Sequence, residues 1–302
     1  MLHSQRPALS GLLLAGAGAI AFSGKAIIVK MSYWHGVDAV TVIMYRMLFA
    51  LPFFVLMGLW AERQAIAREN PLTRSDVMSI VGLGFVGYYL SSYLDFLGLQ
   101  YITASLERLI LYLNPTLVML LGWAVYKKPI HANRLLAMAI SYSGVLLVFS
   151  HELSLAGTNV ALGSSLVLAS ALSYAVYLLY SGQLVQRIGS LRLVGWATSV
   201  ACVCCLAQFV LLRPLSAAVV PVEVLWLGLL NAVVCTVAPV LMVMMAIERI
   251  GAALTAQTGM IGPMSTITLG VLLLDEPFNA WIGLGTLLVV GGVFIVSKYG
   301  AK

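Results

Sequence analysis

A long segment of the first half of the chain recurs in the second half, and this repeat constrains the fold more than any other feature. Residues 99–150 recur at 247–298 with a constant offset of 148. Prolines and glycines, which restrict or free the backbone, recur along with apolar residues. We therefore expect two equivalent units, residues 1–150 and 151–302. The matching pairs include Pro115 with Pro263, Pro129 with Pro277, Gly122 with Gly270, and Gly144 with Gly292.

The apolar composition places both units in a membrane. Hydrophobic residues make up 61% of the 302 residues and charged residues only 9%, whereas soluble proteins average about 25% charged residues. A transmembrane helix needs about 20 apolar residues, and the chain has ten such stretches. This predicts an all-α polytopic membrane protein with ten transmembrane helices. The predicted spans are about 8–29, 38–59, 76–98, 103–125, 131–150, 160–180, 192–212, 222–246, 252–274 and 279–297.

One repeated loop changes the sign of its charge between the two units. Lys127 and Lys128 precede the last span of the first unit, whereas Asp275 and Glu276 precede the last span of the second. Lys and Arg mark the cytoplasmic side of a membrane protein, so we expect the two loops on opposite faces. Five spans per unit give the same result, because an odd number inverts the second unit. The sequence thus predicts two inverted five-helix repeats, an architecture typical of secondary transporters.

The basic residues also predict the orientation. With the N-terminus in the cytoplasm, twelve Lys and Arg residues lie inside, whereas only Lys30 and Arg213 lie outside. This bias predicts that both termini are cytoplasmic. It accounts for the pI of about 9.2 without nucleic acid, which we do not expect as a partner.

Beyond the first turn of each predicted span, five charged residues lie inside spans, all in the first unit. A buried charge costs about 2.5–3.5 kcal/mol on membrane-insertion scales, so these residues need partners or a wet cavity. We expect Lys25, Asp95 and Glu107 to form a charge network, with a carboxylate that could carry a coupling proton. We expect Arg46 or Arg108 to hold a substrate carboxylate. Simpler interpretations stay open, since Lys25 could extend to the membrane surface and Asp95 could be interfacial.

Polar and aromatic side chains form stripes on several spans. Tyr88, Ser92 and Asp95 share one face of the third span, and polar faces of spans point away from lipid. Several stripes favour a cavity between the repeats, although hydrogen bonds between helices are the alternative. The predicted substrate-binding residues are Arg46, Tyr88, Ser92, Arg108, Tyr112, Asn114, Tyr174, Tyr177 and Gln257.

Two equivalent prolines interrupt the fourth and ninth spans. Because proline removes a backbone hydrogen bond and kinks a helix, Pro115 and Pro263 are candidates for kinks or gating bends, with simple curvature as the alternative. We expect no metal site and no cofactor. The four cysteines lie inside spans and the four histidines are scattered among loops and span ends, which fits no usual metal-ligand spacing.

These features resemble a known family. Ten spans in two five-helix copies, with the sequences at 38–48 and 96–115, are similar to the EamA family of the drug/metabolite transporter superfamily, over about residues 8–298. The resemblance implies a central cavity between the halves that opens alternately to each side. It also implies export of small metabolites, such as amino acids, their derivatives or cationic drugs, across a bacterial inner membrane. Residues 274–277 resemble the family's usual Gly-Glu-Pro ending, from which residues 127–129 depart.

The expected function is therefore a secondary transporter, not an enzyme, that exports small amphipathic metabolites, amino acids or related compounds, by alternating access. An uncoupled facilitator or exchanger is one alternative, because the spans of the second unit have no ionisable residue to relay protons. A membrane-embedded enzyme on lipid-linked substrates would need a His, Asp or Glu cluster near an interface, which the sequence lacks. A scaffold or sensor subunit would leave the internal charges without a role.

Overall fold

The protein is a bundle of long helices. A computed structural model describes residues 5–64, 70–127, 132–156, 158–259 and 261–300, and these residues form no β-strand. Eight of the helices they form are long and apolar enough to cross a membrane, and two shorter apolar helices follow. The prediction of an all-α polytopic membrane protein is confirmed. The helices are α1 (Gln5–Trp34), α2 (Ala39–Glu62), α3 (Arg74–Gly98), α4 (Ala104–Leu111 and Asn114–Tyr126), α5 (Ala132–Ala156), α6 (Thr158–Ile188), α7 (Ser190–Leu212), α8 (222–258), α9 (Ile261–Leu274) and α10 (Ala280–Gly300).

Polar residues set the starts of three of these helices. The Asp38 carboxylate accepts a hydrogen bond from the Val40 N–H at the start of α2 (3.2 Å). Thr73 and Asp76 form a reciprocal capping box at the start of α3, and Thr103 caps α4. Each side chain satisfies N–H groups that have no partner within the first helical turn.

The structure differs from the predicted spans around the ninth one. A loop was expected between 246 and 252, but the helix Ala238–Thr258 continues through this segment, and the next helix begins at Ile261. The break lies shortly before Pro263, since proline disfavours helix in the residues that precede it. An equivalent break at 112–113 precedes Pro115 in α4. Neither proline kinks a continuous helix, because each lies in the first turn of a new helical segment, where proline is well tolerated.

Equivalent helices of the two units pack closely, and the most extensive contact joins α5 to α10. A Cβ added to Gly144 would lie 2.6 Å from the carbonyl oxygen of Gly285, and one added to Gly292 would lie 2.6 Å from that of Ala137. With the offset of 148, the second contact is the first with the units exchanged. The two helices therefore cross antiparallel about a local two-fold relation, which is the packing that an inverted repeat requires.

Ion pairs close both ends of the α2–α7 contact. Arg192 donates from Nε to Glu62 at 2.7 Å, and Arg213 donates to Asp38 at the other end, at 2.8 Å. Burial raises the pKa of Asp38, but the hydrogen bonds from Arg213 and Thr41 outweigh it and leave the pKa below its usual value. The pair at Asp38 therefore contributes stability at neutral pH and loses it as the pH falls through that lowered pKa.

Adding one methyl group at the α2–α7 crossing tests this close packing. Gly195→Ala would place a Cβ 2.7 Å from the backbone nitrogen of Gly58, so the helices must separate. Overpacking of this kind costs about 1–3 kcal/mol, and we expect a lower Tm for the purified protein. Gly182→Ala is the matched control, because a Cβ there meets nothing within 4 Å. Equal Tm values for the two variants would contradict the packing.

Candidate functional site

Three charged side chains from three helices meet inside the bundle. The Lys25 Nζ on α1 lies 2.5 Å from Oδ2 of Asp95 on α3 and 3.5 Å from Oε1 of Glu107 on α4. All three are buried, and Glu107 has no exposed surface at all. Lys25 is thus paired inside the protein and does not extend to the membrane surface. The cluster is the charge network that the sequence predicts.

Two guanidinium groups lie near this cluster without a carboxylate partner. Arg46 donates to the hydroxyl oxygens of Thr236 (3.0 Å) and Ser92 (3.5 Å). Arg108 donates to the Thr266 hydroxyl (2.9 Å) and to the carbonyl oxygen of Phe22 (3.2 Å). Both arginines are buried, and neither forms a salt bridge with any carboxylate among the described residues. Each guanidinium thus donates hydrogen bonds to neutral groups, and no carboxylate among the described residues forms a salt bridge with it.

Two phenylalanine rings separate the three cations. The Phe22 ring centroid lies 5.6 Å from Lys25 Nζ and 5.5 Å from Arg108 Cζ. The Phe96 ring centroid lies 5.9 Å from Lys25 Nζ and 5.2 Å from Arg46 Cζ. The face of an aromatic ring attracts a cation, so these rings stabilise the positive charges without removing them.

A cavity of about 230 Å³ lies against these charges, lined by residues of α1, α2, α3, α4, α6, α7 and α8. A second cavity, of about 460 Å³, adjoins it, because Arg108, Tyr112 and Tyr174 line both. The second cavity extends toward Ala15 on α1 and Thr255 on α8. The predicted site residues that line the first cavity are Lys25, Arg46, Tyr88, Ser92, Asp95, Arg108, Tyr112, Asn114 and Tyr174.

The other predicted site residues lie elsewhere. Tyr177 lines neither cavity but packs behind the wall, with its ring centroid 5.0 Å from that of Tyr88 and 5.6 Å from that of Tyr174. Tyr177 therefore packs against α3 and supports the wall of the cavity, and its role in substrate binding stays a prediction. Glu107 lines neither cavity, but it contacts Lys25, which lines the first one. The side chain of Gln257 lies outside the described residues.

Wide π-helical turns place two of the cavity residues. They span Phe85–Leu90 in α3 and Val233–Val237 in α8, which are equivalent positions by the offset of 148. The first presents Tyr88 and the second presents Thr236, which line the cavity. Such turns occur often at functional sites. The sequence analysis missed both turns and Thr236, although a threonine in an apolar stretch is a weak indication of an interior polar contact.

A buried carboxylate joins the two units at one end of the bundle. Glu276, between α9 and α10, accepts hydrogen bonds from the N–H groups of Ala104 (2.6 Å) and Ser105 (3.2 Å) and from the Ser105 hydroxyl (2.7 Å). These groups form the N-terminus of α4, whose partial positive charge favours an anion. Sequence reasoning gave Glu276 an ordinary loop role, whereas it fastens α4 to the second unit.

The fold and the buried polar cavity define a multi-pass membrane protein with an interior site. A model of the EamA-like transporter family matches residues 9–150 and again 161–298, so the chain belongs to that family. It is 30% identical to the uncharacterized transporter YcbK of Bacillus subtilis (strain 168) over 305 residues, which cover 96% of this chain and 92% of the relative. The uncharacterized transporter YoaV of the same organism is 20% identical over 82% of both chains. Family and relatives identify the protein as a membrane transporter.

A solved crystal structure shares the fold. It superposes with a TM-score of 0.62, at 15% sequence identity, over 97% of this chain and 98% of the other. At this identity the likeness concerns the fold alone.

Removing the cation from the buried cluster tests its energetics. Lys25→Met leaves Asp95 and Glu107 without their shared cation, and breaking a buried pair costs about 3–5 kcal/mol. We expect a large fall in Tm, measured in detergent solution, and partial recovery in the double variant Lys25→Met/Asp95→Asn. Lys30→Met, farther along α1, is the control with the same chemical change and forms no salt bridge among the described residues. A single variant as stable as the double one would contradict the pairing.

Proposed function

We propose that the protein is a secondary transporter that exports small amphipathic metabolites bearing a carboxylate, such as amino acids or related compounds, by alternating access. The observation that carries this proposal is the pair of buried arginines, Arg46 and Arg108, which line one central cavity without carboxylate partners. A guanidinium binds a carboxylate through two parallel hydrogen bonds. A substrate carboxylate would supply the negative charge that the cavity lacks.

The rest of the cavity wall suits the apolar part of such a substrate. Tyr88, Tyr112 and Tyr174 line it, and an aromatic ring provides a rigid apolar surface with a polar hydroxyl at its edge. The cavity of about 230 Å³ is smaller than the pockets of about 300–1,000 Å³ that hold drug-sized ligands. Its volume therefore suits a smaller molecule.

Alternating access is supported by the unequal ends of the bundle. With the N-terminus in the cytoplasm, Glu276 and the start of α4 lie at the outer end, where their hydrogen bonds join the two units. The larger cavity extends the other way, toward Ala15 and Thr255. We infer that the outer end is closed and the inner end open in this state. The breaks before Pro115 and Pro263 would then serve as bending points.

We place the protein in the bacterial inner (plasma) membrane with both termini in the cytoplasm. The bias of Lys and Arg supports this orientation. The antiparallel α5–α10 crossing supports two inverted five-helix units, residues 1–150 and 151–302.

An uncoupled facilitator or exchanger is the second candidate. Every Lys, Arg, Asp and Glu that lines the two cavities described above comes from the first unit, so no acidic group of the second unit lies there to pass a proton onward. Coupling would have to rest on Asp95 or Glu107 alone. Transport driven only by the substrate gradient is the alternative.

Counterflow in proteoliposomes tests the transport function and the role of Arg108. Vesicles are loaded with one pool of metabolites, and uptake of labelled amino acids, their N-acyl derivatives and cationic amphiphiles is followed. We expect accelerated uptake of a carboxylate-bearing label by the wild type and at least a tenfold loss in Arg108→Gln, because a charged hydrogen bond contributes about 1.5–3 kcal/mol. Arg213→Gln, the same change at an exposed arginine, should transport normally. Unaltered transport by Arg108→Gln would remove Arg108 from the site.

The outer closure makes a separate prediction. Glu276→Gln weakens the contact with α4, because the amide carries no charge and brings N–H groups toward N–H groups. In a protein with its native cysteines replaced, we expect Ser92→Cys to react several-fold faster with a membrane-impermeant maleimide added outside when Glu276 is also changed. Asp275→Asn, at the exposed neighbouring position, is the matched control. Equal labelling rates in both variants would refute the role of Glu276 in closure.

A further inference from the structure

The Lys25–Asp95–Glu107 cluster has one cation for two carboxyl groups, and its hydrogen bonds are incomplete. Oδ1 of Asp95 and both oxygens of Glu107 have no hydrogen-bond donor among the described residues. The Asp95 and Glu107 carboxyl groups both contact Lys25 Nζ, at 2.5 Å and 3.5 Å, so the two groups lie beside each other around one cation. Two ionised carboxylates only accept hydrogen bonds, so the two groups can bond to each other only when one carries a proton. A proton on Glu107, donated to Asp95, completes the cluster.

That proton changes the charge of the cavity. With Glu107 protonated, Lys25 and Asp95 cancel, and Arg46 and Arg108 leave two uncompensated positive charges. With Glu107 ionised, its negative charge lies one residue from Arg108 on the same helix and reduces this excess to one. In a buried site of low dielectric such a difference is large. The cavity therefore attracts an anion more strongly when Glu107 holds a proton.

We propose that the cavity binds a small organic anion that lacks an ammonium group, together with one proton held between Glu107 and Asp95, and that both cross the membrane together. This inference rests on the proposed transport function and specifies its substrate class and the sign of its coupling. The proton comes from water on the side to which the cavity is open and returns to water on the other side. The anion meets Arg46 and Arg108, so neither charge travels alone.

The same geometry disfavours an amino acid in its zwitterionic form. Asp95 already pairs with Lys25 at 2.5 Å, and a protonated Glu107 is neutral, so an ammonium group finds no free carboxylate. It would also add a positive charge beside two guanidinium groups. Removing the ammonium group, for example by N-acylation, removes this conflict and keeps the carboxylate.

Charged groups on three helices surround Glu107. Lys25 and Lys30 on α1, Asp95 on α3 and Arg108 on α4 all act on it electrostatically. Asp95 is the closer partner of Lys25, at 2.5 Å against 3.5 Å for Glu107, so we assign the proton to Glu107. Glu276, between α9 and α10, is the acidic group at the start of α4, but it already accepts three hydrogen bonds there.

Calorimetry on the full chain in lipid nanodiscs tests the inference with two matched probes, N-acetyl-L-phenylalanine and L-phenylalanine. Repeating the titration in buffers of different ionisation enthalpy counts the protons that accompany binding. We expect the N-acetylated anion to bind at least tenfold more tightly and the protein to take up as much as one proton per anion. By linkage, affinity should fall up to about tenfold per pH unit once free Glu107 is ionised.

Glu107→Gln mimics the protonated side chain. We expect it to take up no proton and to bind the anion with an affinity that does not vary with pH. Glu223→Gln, the same change at an exposed position on α8, should keep the wild-type proton uptake. The wild-type proton count alone gives the sign of coupling, so the test does not depend on whether Glu107→Gln folds.

Four results would overturn the inference: proton release on anion binding, proton uptake that persists in Glu107→Gln, tighter binding of L-phenylalanine, or no binding of either probe. In each case counterflow of any solute would still uphold the proposed transport function. Conversely, coupled binding of anion and proton without counterflow would refute transport and leave the co-binding site in place.

Discussion

Three positive charges of the first unit lie inside the helix bundle, where an uncompensated charge is costly, and their surroundings differ. Lys25 pairs with two carboxyl groups, those of Asp95 and Glu107. Among the described residues, Arg46 and Arg108 contact hydroxyl groups, a carbonyl oxygen and aromatic rings, and these neutral groups leave each arginine without a carboxylate partner. An anion in the adjoining cavity would neutralise their charge. Under the proposed function, the missing carboxylate partners of the two arginines would favour binding of an anionic ligand.

A rigid frame holds this charged site. Direct backbone contact at Gly144 and Gly195 leaves the α5–α10 and α2–α7 pairs little freedom to slide, and ion pairs fix both ends of the second pair. The helices with wide turns or breaks, α3, α4, α8 and α9, also contribute residues to the two cavities. Their backbones lack a full set of regular helical hydrogen bonds and can bend at lower cost. Under the proposed mechanism these four helices would bend, while the tightly packed pairs would stay rigid.

Burial explains which features the sequence could predict. A charge or a polar stripe in an apolar span must face inward, so Arg46, Asp95 and Arg108 could be placed at an interior site from the sequence alone. The position of Phe22 could not be predicted in this way, because an apolar ring can equally face lipid, pack in the core or line a cavity. The wide turns and the continuation of α8 past residue 246 depend on packing against other helices. The role of Glu276 depends on meeting the start of α4, 172 residues away, which no local pattern encodes.

The two units share a backbone plan, but their closures cannot be equivalent. At one end of the bundle Glu276 binds the free N–H groups at the start of α4. Its counterpart in the sequence is Lys128, whose positive charge would repel the positive end of a helix. The counterpart of that helix start is absent too, because α8 runs without a break through the position equivalent to Ala104. Under the proposed alternating-access mechanism, the opposite end would therefore close by other contacts, and the two access states would differ in free energy. Binding that neutralises the cavity would then shift the population between them.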